Sequence, residues 1–174
     1  MSIRLFITDI DGVWTDGGMY YDDKGGIELK KFNTSDSAGV LFLRLVGIKT
    51  AVITGENTPI VRRRAEKLQV DDLIMGARNK RKAAETLLAK YGLTWEEVAF
   101  IGDDLNDIPL LRVVGLSACP ASAEDYIQSE VDWVMERRGG EGVFREFVQK
   151  YLLSIRMLDT VIARYLASVE NLNK

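Results

Sequence analysis

Acidic and hydroxyl side chains follow three apolar runs of this sequence, and a lysine begins a helical segment between the second run and the third. The chain contains no histidine, so any acid–base chemistry must come from carboxylates, lysine, tyrosine or the single cysteine. One aspartate before a helix is most often only an N-cap, but a set of such residues at one edge of a sheet predicts a ligand site. The residues are Asp9 and Asp11 after the first run, Thr54 after the second, Asp103 and Asp104 after the third, and Lys80 at the start of the helical segment.

The elements that must position these residues alternate between strands and helices. This alternation predicts an α/β fold, a Rossmann-like three-layer sandwich whose mainly parallel sheet is covered by helices on both faces. A β-hairpin at residues 19–32, with its turn at residues 22–26, is inserted after the first strand. Strands are predicted at residues 3–8, 49–53, 73–75, 97–101, 116–118 and 133–135, and helices at 35–46, 59–68, 80–91, 107–114 and 123–128 and from 142 onward, with a break near 153–154.

The domain organisation is predicted to be a single domain over residues 1–174, with the hairpin region at about 13–32 and a helical tail at about 152–174. The tail carries apolar residues at helical spacing. It is predicted to be an amphipathic helix that packs on its own domain or on a neighbouring subunit. The residues of this apolar stripe are Leu152, Ile155, Leu158, Ile162, Leu166, Val169 and Leu172.

Composition excludes several classes of function. With no histidine, Ser-His-Asp and Cys-His triads, histidine phosphatases and His-rich zinc sites are excluded. Cys119 is the single cysteine, so no intrachain disulfide can form. The net charge of −3 does not favour a nucleic-acid partner. No signal peptide or membrane-length apolar run is evident, and we expect a cytoplasmic protein without a membrane partner.

Four motifs in order resemble those of the haloacid dehalogenase-like phosphatases. Residues 9–13 match the first motif, hhhDxDG[TV], Thr54-Gly55 matches the second, Lys80 the third, and Gly102-Asp103-Asp104 with Asp107 the fourth. Only a hairpin fits between the first motif and the next helix, so a cap domain is not expected. This layout resembles the capless branch of the 3-deoxy-octulosonate 8-phosphate (KDO-8-phosphate) phosphatases. The stretch at residues 137–147 matches their RGGxG…RE segment, or is only a glycine-rich turn before a helix.

The resemblance implies a two-step phosphatase mechanism. Asp9 would attack phosphorus, and Asp11 would first protonate the leaving group and then deprotonate the attacking water. Thr54 and Lys80 would hold the phosphoryl oxygens, with Asp107 orienting Lys80 and Asp104 supporting the metal site. The implied cofactor is Mg²⁺, bound by Asp9, the backbone carbonyl of Asp11, and Asp103.

The resemblance also suggests a substrate and an assembly. The octulosonate enzymes carry TGR and QG where this chain has Thr54-Gly55-Glu56 and Met75-Gly76. The sequence is more similar to relatives that hydrolyse 2-keto-3-deoxy-nononate 9-phosphate (KDN-9-phosphate), so that ester is the expected substrate, with KDO-8-phosphate as the alternative. An inactive assembly domain of a sugar-nucleotide synthetase is the alternative of another class. The expected assembly is a homotetramer whose subunits share their active sites. Arg64 and Lys67 either form a solvated charged face or reach the substrate of a neighbouring subunit in this tetramer. The expected substrate-binding residues are Thr34, Gly55, Glu56, Arg64 and Lys67.

Overall fold

A computed structural model of the chain describes residues 2–23 and 28–172. The strands are β1 (Leu5–Thr8), β2 (Tyr20–Tyr21), β3 (Glu28–Leu29), β4 (Lys49–Ile53), β5 (Asp72–Ile74), β6 (Val98–Ile101), β7 (Leu116–Cys119) and β8 (Trp133–Val134). Six of these short strands form one parallel sheet with the order β5-β4-β1-β6-β7-β8, and β2 and β3 form a separate antiparallel hairpin. The predicted α/β fold with a mainly parallel sheet and an inserted hairpin is therefore confirmed.

The register of the sheet brings the ends of three strands to one level. Thr8, the last residue of β1, pairs with Val52 in β4 and with Ile101 in β6. The residues that follow these positions therefore leave the sheet side by side at its carboxyl edge. The strand order also changes direction around β1, and this is the place where open parallel sheets leave a crevice for ligands.

Helices cover both faces of the sheet because successive side chains of the strands point to opposite sides. The helices are α1 (Asp36–Leu45), α2 (Pro59–Leu68), α3 (Lys80–Tyr91), α4 (Ile108–Leu111), α5 (Asp125–Gln128), α6 (Val143–Ser154) and α7 (Leu158–Leu172). Phe6, Val52 and Ile101 face a core built with α1, α2, α6 and α7, whereas Ile7 and Phe100 face a core built with α3, α4 and α5.

The bounds of β4, α2 and α3 agree with the sequence prediction, but α4 is shorter than the helix predicted at residues 107–114. Helix α4 ends at Leu111, and Gly115 then packs directly on the 3₁₀ turn at Trp95–Glu97, where a Cβ would lie 2.3 Å from the carbonyl oxygen of Glu96. Residues 24–27 of the predicted hairpin turn and the last two residues of the tail, 173–174, lie outside the described residues.

The tail breaks where it was predicted to, because α6 ends at Ser154, and Arg156 adopts a left-handed backbone conformation with φ 58° between α6 and α7. Helix α7 contacts its own domain through the buried Val161 and through Arg164, whose guanidinium donates to the carbonyl of Leu45 at 2.8 Å. Ile162 and Leu166 remain 40% and 55% exposed, so the apolar stripe is only partly covered within one chain. None of the helices in the described part of the chain is both long and apolar enough to span a bilayer.

Candidate active site

The loop after β1 is held close to the loop after β6. Asp9 lies at the end of β1 and is 6% exposed, and Gly12 follows with φ 81°, a conformation that side chains with a Cβ rarely adopt. A Cβ at Gly12 would lie 1.8 Å from a carboxylate oxygen of Asp103. The glycine is needed at this position because it lets the two acidic loops approach each other.

Lys80 links the nucleophile candidate to the fourth motif. It is the first residue of α3, whose N-cap Asn79 accepts a hydrogen bond from the backbone of Lys82. The Lys80 Nζ lies 2.8 Å from Asp9 Oδ2 and 2.6 Å from Asp107 Oδ1, and its side chain is 1% exposed. Burial opposes the charged ammonium, but the charges of Asp9 and Asp107 more than offset this, so the pKa of Lys80 is raised.

Asp107 acts as a support behind this pair. Its Oδ1 is bound to Lys80, and its Oδ2 accepts hydrogen bonds from the backbone amides of Asp103 and Asp104 at 2.9 and 3.1 Å. Carboxylate oxygens of Asp9, Asp103 and Asp107 lie within 4.8 Å of one another. Since both oxygens of Asp107 already have partners, Asp9 and Asp103 are the carboxylates that can hold a cation.

Two buried oxygens fit a bound divalent cation. Asp9 Oδ1 and Asp103 Oδ1 have no hydrogen-bond partner among the described residues. Burial, with further repulsion between the acidic groups, raises the pKa of Asp9 to about 7 and that of Asp103 to about 8. A hard cation with oxygen ligands would satisfy both atoms and stabilise their ionised forms.

A cleft of about 440 Å³ opens over these groups. Thr54 lies buried at the end of β4, and its Oγ1 accepts a hydrogen bond from the amide of Glu56 at 3.1 Å, which shapes the second-motif loop. Asp107 lies buried beneath the cleft, against Lys80. The cleft brings together most of the residues singled out in the sequence, namely Asp9, Asp11, Thr54, Gly55, Glu56, Lys80, Asp103 and Asp104.

Three of the expected substrate-binding residues do not line this cleft in their own chain. Thr34 and Lys67 are exposed elsewhere on the surface. The Arg64 guanidinium donates to the carbonyl of Asn33 at 2.9 Å and lies 5.5 Å from the centroid of the Phe32 ring. Contact of Arg64 or Lys67 with a substrate would require another subunit, so their role stays a prediction.

The glycine-rich stretch after β8 contributes to the cleft. The sequence analysis identified this stretch but gave no role to any individual residue in it. Gly140 donates its amide to the carbonyl of Val13 at 2.9 Å, and a Cβ at Gly139 would lie 1.9 Å from the carbonyl oxygen of Gly12. This close packing places Arg138 on the cleft wall. The RGG pattern was the available signal, although it does not reveal which loop the glycines contact.

Comparison with known proteins agrees with this geometry. The family model for haloacid dehalogenase-like hydrolases matches residues 67–147. The 3-deoxy-D-manno-octulosonate 8-phosphate phosphatase KdsC of Haemophilus influenzae is 39% identical over 145 residues, which cover 83% of this chain and 80% of that protein.

Two solved structures add information on ligands. The phosphatase of this name from Moraxella catarrhalis, in complex with magnesium, phosphate and KDO, superposes with a TM-score of 0.89 at 32% identity and covers 94% of this chain and 93% of its own. The cobalt-bound enzyme from Haemophilus influenzae superposes with a TM-score of 0.83 at 38% identity, over 87% and 88% of the two chains.

Proposed function

Since the chain belongs to the haloacid dehalogenase-like family, we propose that it hydrolyses the phosphate monoester of a 2-keto-3-deoxy sugar acid through a phospho-aspartate on Asp9. The chain is a phosphoric monoester hydrolase, and it resembles relatives named for this class of substrate. The mechanism rests on the different surroundings of the two Asp9 carboxylate oxygens. One oxygen contacts the Lys80 ammonium, and the other is buried and has no hydrogen-bond partner among the described residues.

In the first step, a carboxylate oxygen of Asp9 attacks phosphorus, and the bond between phosphorus and the ester oxygen breaks. Asp11 gives its proton to the departing alkoxide, so the sugar leaves as an alcohol. Lys80 and Thr54 hold the phosphoryl oxygens as negative charge shifts onto them. In the second step Asp11 takes a proton from water, the water oxygen attacks phosphorus, and the bond to Asp9 breaks to release inorganic phosphate.

This enzyme class uses a divalent metal, and we propose that the metal here is Mg²⁺. Asp9 and Asp103 would hold it through their buried oxygens, together with the backbone carbonyl of Asp11. When bound, the cation would offset the repulsion between the Asp9 carboxylate and the anionic ester. Support for Mg²⁺ comes from the oxygen donor set and from the magnesium complex of the Moraxella relative, while the cobalt-bound relative shows that another divalent ion fits a related protein.

Two esters are candidate substrates. KDO-8-phosphate, the alternative from the sequence, has the better support, because the similar proteins carry its name. KDN-9-phosphate, expected first from the sequence, remains the second candidate because Glu56 lines the cleft where the octulosonate enzymes carry arginine.

The deciding experiment measures kcat/KM for both esters with the wild-type protein and with Glu56→Arg. If Glu56 accepts hydrogen bonds from the longer sugar, the substitution lowers kcat/KM for KDN-9-phosphate by about tenfold or more and spares KDO-8-phosphate. The sugar-acid assignment is wrong if neither ester reacts.

The hairpin supports a further part of the proposal, that the active protein is a homotetramer with shared active sites. Tyr20, Tyr21 and Leu29 are 55%, 69% and 57% exposed on a two-stranded hairpin beside the cleft. Large apolar side chains grouped on so small an element favour burial against another chain.

We therefore expect Tyr20→Lys to disrupt the assembly and to lower kcat/KM for the sugar phosphate by about tenfold or more, because the neighbour's contribution to substrate binding is lost. Hydrolysis of p-nitrophenyl phosphate should fall much less, since it requires only the residues of one chain. Tyr126→Lys is the matched control, because Tyr126 is also an exposed tyrosine but lies on α5. A monomer by light scattering with full activity on the sugar phosphate would refute the shared site.

A further inference from the structure

Lys30 is a buried lysine on an otherwise exposed hairpin. It directly follows β3, and its side chain is fully buried, whereas Tyr20, Tyr21 and Leu29 of the two hairpin strands are exposed. Among the described residues 20–23 and 28–31, Lys30 alone is buried. A buried ammonium must be compensated by partners of opposite charge, and an apolar side chain would fill the same space without that requirement. Packing alone therefore does not explain why a lysine occupies this buried position.

The partner of Lys30 is Asp11. Its Nζ lies 2.7 Å from both Asp11 Oδ1 and Oδ2, and 3.6 Å from Glu28 Oε1. Thr15 adds a hydrogen bond from its Oγ1 to Asp11 Oδ1 at 3.3 Å. Contacts to both oxygens fix the plane of the carboxylate as well as its position. Burial opposes the charge on Lys30, but the bond to Asp11 and the charges of Asp11, Glu56 and Glu28 offset this and raise the pKa of Lys30.

The pair lies at the wall of the cleft. Asp11 lines the cleft beside Asp9, while Lys30 approaches the same carboxylate from the hairpin and is not among the residues that line the cleft. In this arrangement Lys30 can touch the acid–base group without touching the reacting atoms. The contact is also the place where the hairpin, which is separate from the central sheet, is bonded to the first motif.

We propose that Lys30 is a positioning residue that orients the Asp11 carboxylate to take a proton from water in the second step, and thereby couples the placement of the hairpin to catalysis. The proposal rests on the proposed role of Asp11. Loss of Lys30 frees the carboxylate to rotate, so the proton transfer from water slows, although Asp9, Lys80 and the metal ligands keep their places.

The test uses p-nitrophenyl phosphate, whose leaving group departs without a proton donor. Only the second step then depends on Asp11, so phosphorylation of Asp9 proceeds and its hydrolysis is delayed. For Lys30→Met we expect kcat to fall by about 10- to 100-fold, while kcat/KM, which reports the first step, stays within about threefold of the wild type. A burst of p-nitrophenol and phosphoenzyme trapped by acid quench should accompany this change.

The controls separate positioning from general damage. Lys31→Met removes the same charge at the next position, where the side chain is 72% exposed, and should behave as the wild type. Lys30→Arg keeps the positive charge and should restore part of kcat. If Lys30→Met does not fold, Lys30→Gln takes its place with the same expected pattern. An unchanged kcat, or an equal loss of kcat and kcat/KM, would overturn the proposal.

The sugar-acid assignment fails in a different way. Wild-type protein that hydrolyses neither KDO-8-phosphate nor KDN-9-phosphate would refute the substrate class. The result for Lys30 on p-nitrophenyl phosphate would still stand, because that ester involves Asp11 only in the second step and does not depend on which sugar phosphate the protein hydrolyses.

Discussion

Asp9→Asn should abolish turnover and leave the fold intact. An amide cannot attack phosphorus to form the acyl phosphate, so we expect kcat to fall by at least about 10⁴-fold with either sugar phosphate or with p-nitrophenyl phosphate. The observation behind this expectation is the position of Asp9 directly after β1, with one carboxylate oxygen 2.8 Å from Lys80 Nζ and the other without a hydrogen-bond partner among the described residues. Steady-state kinetics together with trapping of radiolabelled phosphoenzyme measures the effect.

The same substitution should not destabilise the metal-free protein. Burial raises the pKa of Asp9 from 3.8 to about 7, so above pH 7 its ionised form costs folding free energy, and below pH 4 the cost disappears. Asparagine removes that cost, while Lys80 retains its contact with Asp107. We expect the melting temperature in chelator at pH 8 to be unchanged or higher.

Asp159→Asn is the matched control for Asp9→Asn, because Asp159 is an exposed aspartate on α7. It should leave both kcat and the melting temperature unchanged. Hydrolysis by Asp9→Asn that persists in freshly purified protein, beyond what deamidation produces, would remove Asp9 from the role of nucleophile.

The sequence predicted the framework of this site because the relevant signals are local. Apolar runs ending in polar residues marked β1, β4 and β6, and the parallel register then places Asp9, Thr54 and Asp103 at one edge. Helix α3 could be bounded from its periodicity and from Gly92, which is its left-handed C-cap with φ 60°.

Other parts of the site depend on contacts that no local pattern encodes. The Lys30–Asp11 pair joins residues nineteen positions apart, and it forms only because the hairpin folds back on the first motif. Arg64 was expected either to be part of a solvated charged face or to reach the substrate of a neighbouring subunit, and within its own chain its guanidinium donates to the carbonyl of Asn33. Helical spacing gives the face on which a side chain lies but not the loop that packs against that face. The roles of Arg64 and Lys67 therefore depend on an assembly that one chain does not contain.

Removing the metal should abolish activity to a similar extent as removing the nucleophile's charge. Chelation by EDTA should lower kcat by on the order of 10³-fold or more, because several kcal/mol of charge stabilisation at the phosphoryl group is lost. Mg²⁺ should restore it, and we expect Mn²⁺ or Co²⁺ to substitute for it, since each accepts oxygen ligands. Asp103→Asn should reproduce the loss even with Mg²⁺ present, because Asp103 Oδ1, like Asp9 Oδ1, is a buried cleft oxygen that has no hydrogen-bond partner among the described residues.

The affinity for the metal should also depend on pH, and protonation of Asp9 and Asp103 should make it weaker at low pH. Without metal, the pKa values of Asp9 and Asp103 are raised to about 7 and about 8, so at pH 6 both carboxyls hold protons that a cation must displace. We expect Mg²⁺ to bind at least about tenfold more weakly at pH 6 than at pH 8, since each pKa unit corresponds to a factor of ten. Titration calorimetry in two buffers of different ionisation enthalpy measures both the affinity and the protons released.

Calorimetry separates the metal site from catalysis, because it needs no turnover. Asp159→Asn should give the wild-type affinity and proton release, whereas Asp103→Asn should bind Mg²⁺ weakly at both pH values. Binding that releases no protons between pH 6 and pH 8 would show that Asp9 and Asp103 are already ionised in the metal-free protein and would refute the predicted pH dependence. Full activity in chelator would refute the metal-dependent mechanism itself. The Asp9 carboxylate would then attack an anionic ester with only Lys80 to offset the repulsion between them.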